Sequence, residues 1–339
     1  MPEYRYDPLT RRTVIVAEER LNRPRQFDIE GKSEEAVCPF CPGNENLTPA
    51  EKDTIRSSDF SGNAVSGGNS WLVRAVSNMY PAVSGDSGEH EVIIDTPRHV
   101  LSITDLSETE VADMLRMYQR RIAFFRQQNR WAFVQIFKNV GAAAGASLPH
   151  SHSQLVALPF VPMYREQIIR SAAEYQSQSR QCFWCDLLQS ELRHGERIIE
   201  ATPRFVALCP IASRFAGEIE IYPKKHQAGF DAISDEQVLD LAKLLRRTVQ
   251  KLQNVVVWMK NDLAYNLVLN TEPLRCSANP DSTNLDSVNL TQSFANLPDS
   301  QHWSLLILPS LARAAGFEWG TGLHINPISP ETAAKRLRM

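Results

Sequence analysis

The 339-residue chain has no apolar run near the ~20 residues needed to span a bilayer, which argues against a membrane-spanning helix. Its first residues, Met1-Pro-Glu-Tyr-Arg-Tyr-Asp, lack the apolar core of a secretory signal, so a cytoplasmic location is expected. It also lacks a surplus of either charge. The formal net charge is −3, which speaks against nonspecific binding to nucleic acid or to a membrane surface. Cysteines are scarce, with six in all, and a chain of this size in a reducing compartment does not depend on disulfides. Hydrophobic content of 43% and charged content of 22% are those of an ordinary globular protein, with room for one large domain or two of average size.

The few cysteines are not scattered. Four fall in two C-x-x-C pairs, Cys38/Cys41 and Cys182/Cys185, while Cys209 and Cys276 stand alone. One such pair could serve redox chemistry; two, each followed by well-spaced histidines, point to metal binding. In Cys38-Pro-Phe-Cys41-Pro-Gly-Asn-Glu, proline and glycine favour a turn that aims both thiolates at one ion.

The order of motifs repeats. In the first half, the cysteine pair precedes a strand at Trp71-Leu-Val-Arg-Ala-Val, then a strand ending in Thr96-Pro-Arg-His99. A helix with cap-type residues at Thr104-Asp-Leu-Ser-Glu-Thr-Glu, running to about Gln127, comes next. A strand at Trp131–Asn139 then leads to Pro149-His-Ser-His-Ser-Gln154. The second half repeats this with Cys182/Cys185, a strand from Arg204, Tyr222-Pro-Lys-Lys-His226, a helix from about Ser234 to Leu252, a strand at Ala264–Asn270, and His302. A polar insertion, Glu272–Gln301, belongs to the second copy alone. The expected architecture is therefore α+β: a duplicated unit of antiparallel sheet plus helix, with tandem halves at 1–165 and 166–339 packed as one continuous domain.

Each copy offers two cysteines and two histidines, the N/S set of a closed, tetrahedral structural site. The expected ligands are Cys38, Cys41, His99 and His150 in one site and Cys182, Cys185, His226 and His302 in the other. His99 is preferred to His90 because only His99 has a partner, His226, in the second copy. His90 is read as an ordinary strand-end histidine.

The copies differ where chemistry would sit. In an extended segment His150, His152 and Gln154 share a face. His152 corresponds to Ser304 in the second copy, so one reactive site per chain is expected. Arg20 and Arg23, beside Pro24, are either solvated loop charges or a phosphate-binding cluster.

Together these residues resemble the galactose-1-phosphate uridylyltransferase branch of the histidine-triad superfamily. The motifs are Arg20-x-x-Arg23-Pro24, Cys38-Pro-Phe-Cys41-Pro-Gly-Asn-Glu, Thr96-Pro-Arg-His99, Asn139-x-Gly-Ala-Ala and Gly145-Ala-Ser-x-Pro-His-x-His-x-Gln154. Gly316-Phe-Glu-x-Gly-Thr-Gly-x-x-Ile-Asn326 and Pro330-Glu-x-Ala-Ala extend the likeness to nearly the whole chain. The first cysteine motif also resembles ADP-glucose phosphorylases of the same branch.

The resemblance implies a histidine-triad-like fold and a nucleotidyltransferase acting on a nucleoside diphosphate hexose and a hexose 1-phosphate. His152 would be the nucleophile that carries the nucleotide, and Gln154 would donate a hydrogen bond to a phosphoryl oxygen. Arg20 and Arg23 would hold the sugar-phosphate end; Asn78 and Asn139 would lie near the nucleotide phosphate and ribose; Ser147 would add a phosphoryl donor. Glu318 and His324 match hexose-contacting positions, although the family has glutamine where this chain has His324. It further implies one or two structural Zn2+ sites, the second also open to iron or to no metal, and a homodimer. Two alternatives accompany this reading: an ADP-sugar phosphorylase or adenylyltransferase taking phosphate or another anion as acceptor, and a zinc-stabilised nucleotide-binding protein without turnover.

Overall fold

A computed structural model describes residues 3–16, 37–57, 71–258, 263–274, 300–311 and 315–339. Arg20, Arg23, Cys276 and most of the polar insertion lie outside the described residues.

Strands form where β-branched and aromatic residues cluster. In chain order they are β1 (Glu3–Asp7), β2 (Arg12–Val16), β3 (Glu51–Arg56), β4 (Trp71–Ser77), β5 (Glu89–Ile94), β6 (Phe133–Val140) and β7 (His152–Leu158). The second half adds β8 (Ile198–Ala201), β9 (Phe205–Leu208), β10 (Ile219–Pro223), β11 (Tyr265–Asn270), β12 (Ser304–Pro309) and β13 (His324–Asn326). The helices are α1 (Glu108–Gln128), α2 (Met163–Ser179), α3 (Phe183–His194), α4 (Asp235–Trp258), α5 (Gly316–Thr321) and α6 (Pro330–Arg338).

Ten strands make one sheet in the order β3-β4-β5-β7-β6-β11-β12-β10-β9-β8. The order reads as two copies of one five-strand pattern meeting where β6 pairs antiparallel with β11. α1 joins β5 to β6, and α4 joins β10 to β11, so each copy spends its long helix on the same connection. The duplicated α+β unit expected from the motif order is the observed one.

Both long helices lie on one sheet face and pack on each other. One core cluster holds Met114, Leu115, Phe125 and Ile136 of the first copy with Leu241, Leu245, Leu267 and Trp303 of the second. Burying each such side chain contributes roughly 1.5–3 kcal/mol, and the two copies share one apolar core. Arg121 of α1 grips Glu91 of β5 through two bonds of 2.9 and 2.7 Å, with both side chains buried.

Some boundaries differ from the expected ones. The first helix begins at Glu108, because Ser107 forms a capping box with Glu110; Ile103–Asp105 is a separate single turn capped by Ser102. α4 runs to Trp258 because Val255 and Val256 continue its apolar stripe. Residue 165, the expected limit between halves, falls inside α2.

The helices α2 and α3 went unplaced in the sequence reading. They cover the opposite sheet face in the second half, where Ile168, Ala172, Trp184 and Leu188 pack against Val206, Leu208 and Tyr222. The expected match between cysteine pairs is only approximate locally. Cys38 and Cys41 flank a turn, whereas Cys182 caps α3 and Cys185 sits in its first turn. A small sheet, β1-β2-β13, carries the C-terminal motif, with β13 parallel to β2.

Candidate active site and metal centres

β7 starts at His152, not at His150, and this divides the histidine motif. His150 lies in the turn before the strand, while His152 and Gln154 project from the same strand face. Earlier in the same loop, Gly141, in the turn that leaves β6, holds φ +81°, and a Cβ there would come within 2.9 Å of Ala264 Cβ.

A carbonyl oxygen only accepts hydrogen bonds, so partners assign the tautomers. His152 Nδ1 lies 2.8 Å from the His150 carbonyl and therefore carries the proton. Its Nε2 is left with the lone pair. The ring is 7% exposed and packs against Phe40 at 5.3 Å. Burial pushes its pKa down, and the nearby Lys138 charge adds to this, so the imidazole is neutral near pH 7.

The strand under His152 is braced by a buried polar network. Lys138 of β6 donates to Asp95 Oδ2 at 2.7 Å, to Ser151 Oγ at 2.8 Å and to the His152 carbonyl at 3.2 Å. Asp95 accepts also from Ser151 at 3.1 Å and Ser153 at 3.0 Å, and Tyr118 of α1 bonds to Ser153. Lys138 and Asp95 are fully buried, which the mutual pairing and extra bonds make tolerable. The sequence held a faint signal here, one lysine and one aspartate at the ends of apolar strands. Nothing along the chain paired them.

His150 gives its Nε2 proton to the Thr96 carbonyl at 2.8 Å, turning Nδ1 toward Cys38 and Cys41, each 3.6 Å away. His99 Nδ1 lies 3.2 Å from Cys41 Sγ. In the second copy His302 donates Nε2 to the Pro223 carbonyl at 2.8 Å, and Cys185 Sγ lies 3.5 Å from His226 Nδ1. Each quartet places its donor atoms within 4.8 Å of one another, so both groups could hold a metal ion. Two observations fit an ion there. Among the described residues His302 Nδ1 is buried without a partner, and burial pushes the Cys185 thiol up to about 12, so a thiolate at that position requires a cation beside it. A carbonyl fixing the far nitrogen, as for His150 and His302, is the usual outer support of a metal ligand.

The remaining expected residues divide into near and far. Asn78 Nδ2 lies 3.1 Å from His90 Nε2, and His90 in turn lies 2.9 Å from Gln154 Oε1. Asn139 accepts from Asn266 at 2.8 Å, and the same Asn266 amide donates to the Ala144 carbonyl at 2.8 Å. The second copy thus clamps the loop before His150. Ser147 is exposed on that loop. Glu318 caps α5 through Ala315, and His324 meets Phe215 edge to face with ring centroids 5.5 Å apart. None of these contacts joins Glu318 or His324 to His152.

Comparison with known proteins finds relatives along the whole chain. The family model described as galactose-1-phosphate uridyl transferase, N-terminal domain, matches residues 1–162. An ADP-glucose phosphorylase of Arabidopsis thaliana is 33% identical, over 99% of this chain and 92% of the relative. A galactose-1-phosphate uridylyltransferase of Thermotoga maritima is 28% identical over 100% of this chain and 98% of the relative. The crystal structure of an ADP-glucose phosphorylase from Arabidopsis thaliana with bound ADP-glucose superposes with a TM-score of 0.79 at 33% identity, covering 100% of this chain and 99% of that one.

Proposed function

The chain belongs to the galactose-1-phosphate uridylyltransferase family, which includes ADP-glucose phosphorylase-like members, and from that premise we propose how its residues carry out the reaction. The protein is a nucleotidyltransferase of the hexose-1-phosphate uridylyltransferase type, moving a nucleoside monophosphate between a nucleoside diphosphate hexose and a hexose 1-phosphate. The observation that carries the residue assignment is the free Nε2 of a neutral, buried His152.

In the first step the Nε2 lone pair attacks the α-phosphorus. A P–N bond forms, the bridging P–O bond breaks, and hexose 1-phosphate leaves with the electron pair. The imidazolium that results keeps its Nδ1 proton on the His150 carbonyl. In the second step an acceptor phosphate oxygen attacks the same phosphorus and frees the ring. Dividing one difficult displacement into two is the gain from covalent catalysis. Gln154 supplies amide N–H groups to a phosphoryl oxygen as charge shifts onto it. Asn78, Asn139 and Ser147 border the nucleotide phosphate, and Arg20 and Arg23 hold the sugar-phosphate end. Glu318 and His324 contribute to the hexose site, and the protein acts as a homodimer.

The metal sites hold structural zinc. In a tetrahedron with bonds of ~2.0–2.3 Å the ligand atoms are about 3.3–3.8 Å apart, and the Cys–His separations of 3.2–3.6 Å are of that size. A zinc ion on Cys38, Cys41, His99 and His150 supplies rigidity two residues before His152.

A second reading replaces the hexose-phosphate acceptor by phosphate, with ADP-glucose as donor. It is favoured by the 33% identity to an ADP-glucose phosphorylase, while Ser304 and His324 weaken the case for galactose specificity. The test is incubation with UDP-glucose and ADP-glucose labelled at the α-phosphate. Acid-labile label on the protein identifies the donor, and His152→Ala takes up none. No label with either donor, or label surviving in His152→Ala, sinks the assignment.

A further inference from the structure

Gln154 can help the reaction only if its amide nitrogen, not its oxygen, faces the phosphoryl group. The side chain itself has no preference between the two. The structure assigns that choice to His90: we propose that His90 is the positioning residue whose Nε2–H binds the Gln154 carboxamide oxygen and presents the Gln154 NH2 to the α-phosphoryl group. This inference rests on the nucleotidyl-transfer reading above.

The tautomer follows from a backbone contact. The Ala82 N–H lies 3.0 Å from His90 Nδ1 and can only donate, so Nδ1 holds a lone pair. In the neutral ring the proton is then on Nε2, 2.9 Å from Gln154 Oε1. Asn78 Nδ2 lies 3.1 Å from the same nitrogen but offers no acceptor, because the carboxamide is oriented by its Oδ1, which takes the Tyr80 N–H at 2.8 Å. Gln154 oxygen is thus the only acceptor of that proton among these contacts. The ring also ties the 78–82 turn to β5, where Asn78 N donates to the His90 carbonyl at 2.8 Å. Half-burial of the ring pushes its pKa down, which keeps it in the neutral form this arrangement needs.

Strand register supplies an independent observation. Gln154 pairs with Val92 across β7 and β5, and in the second copy Leu306 pairs with Glu220 across β12 and β10. Two residues back along each of these neighbouring strands stand His90 and Glu218. The second copy therefore has serine for the nucleophile, leucine for the glutamine and glutamate for the orienting histidine. Glu218 is bound instead to Arg214 at 3.0 Å. The copy that keeps its metal quartet has lost all three members of the reactive set, so His90 goes with the chemistry and not with the scaffold.

The test is a double-mutant cycle on single-turnover labelling of His152, with UDP-glucose and ADP-glucose as probes. His90→Phe is expected to slow labelling about 10- to 100-fold, below the ~10²–10³ of removing a phosphoryl donor outright, with donor affinity changed less than about 3-fold. In a Gln154→Ala background His90→Phe costs less than about 2-fold more, since its effect runs through Gln154. His90→Gln, which keeps an N–H donor, recovers most of the rate. Slowdowns that multiply in the double variant, or a wild-type rate in His90→Phe, would overturn the proposal. A readout free of turnover is the imidazole nitrogen NMR spectrum of the wild-type protein. It should show His90 as the neutral Nε2–H tautomer, with its resonances moved by Gln154→Ala. An Nδ1–H tautomer, or no response to Gln154→Ala, overturns the role of His90 even if neither donor labels the protein, an outcome that would instead remove the nucleotidyl-transfer reading.

Discussion

His152 and Glu220 show how far environment decides what one side chain does. His152 is an ordinary imidazole until the His150 carbonyl takes its Nδ1 proton and leaves one nitrogen free. Glu220 lines a cavity of about 530 Å³ between the sheet and the helices α2 and α3. Burial raises its pKa to about 7, and it bonds to the Tyr222 hydroxyl. An unfolded glutamate titrates near ~4.3, so the folded state holds the proton longer, and this group's contribution falls as pH rises from about 4.3 through 7. Glu220→Gln keeps an acceptor for Tyr222 without the titration. Relative to wild type its Tm should rise progressively between pH 5 and pH 8, as read by thermal unfolding across that range. A constant offset would mean that Glu220 is ionised throughout.

At the scale of elements, the reactive strand is held by its neighbours more than by its own residues. β7 lies between β5 and β6, and the Lys138–Asp95 pair pins the residues leading into and out of His152. Lys138→Met would leave the Asp95 carboxylate buried and uncompensated, at a cost of roughly 3–5 kcal/mol in urea unfolding. Converting Asp95→Asn in the same protein should return a good part of that loss. If Lys138→Met alone costs under ~1 kcal/mol, the network is not what braces the strand. The existence of β4 to β7 and of α1 was legible in the sequence, because alternating and helical apolar patterns are local. The ends were less legible, since α1 begins where Ser107 and Glu110 close a capping box and not at the first cap-type residue, Thr104. α2 and α3 were missed because their apolar face is completed only by the second half of the sheet.

For the whole molecule, the question is whether two similar halves make two domains or one. β6 and β11 hydrogen-bond across the seam, α1 packs on α4, and Asn266 of the second copy secures the loop that precedes His150 of the first. A fragment of residues 1–165 would expose β6 as an unpaired edge and strip the cover from α1. Expressed alone, each half should be insoluble or lack a cooperative thermal transition, whereas the full chain unfolds in one. Two resolved transitions of the full chain, each reproduced by its isolated half, would contradict a shared core.

What the sequence determined by itself was identity of parts: the duplicated order of motifs, both Cys/His quartets, and the serine, Ser304, that stands in the second copy where the first has His152. These are legible because ligand chemistry and hydrophobic period are written along the chain at short range. Only the tertiary structure decided which His152 nitrogen is free, that Lys138 meets Asp95, and that His90 lies within hydrogen-bond reach of Gln154. Each of those depends on register between strands brought together from distant parts of the chain, and on which backbone carbonyl or amide then lies within hydrogen-bond reach. No pattern within a single strand specifies that.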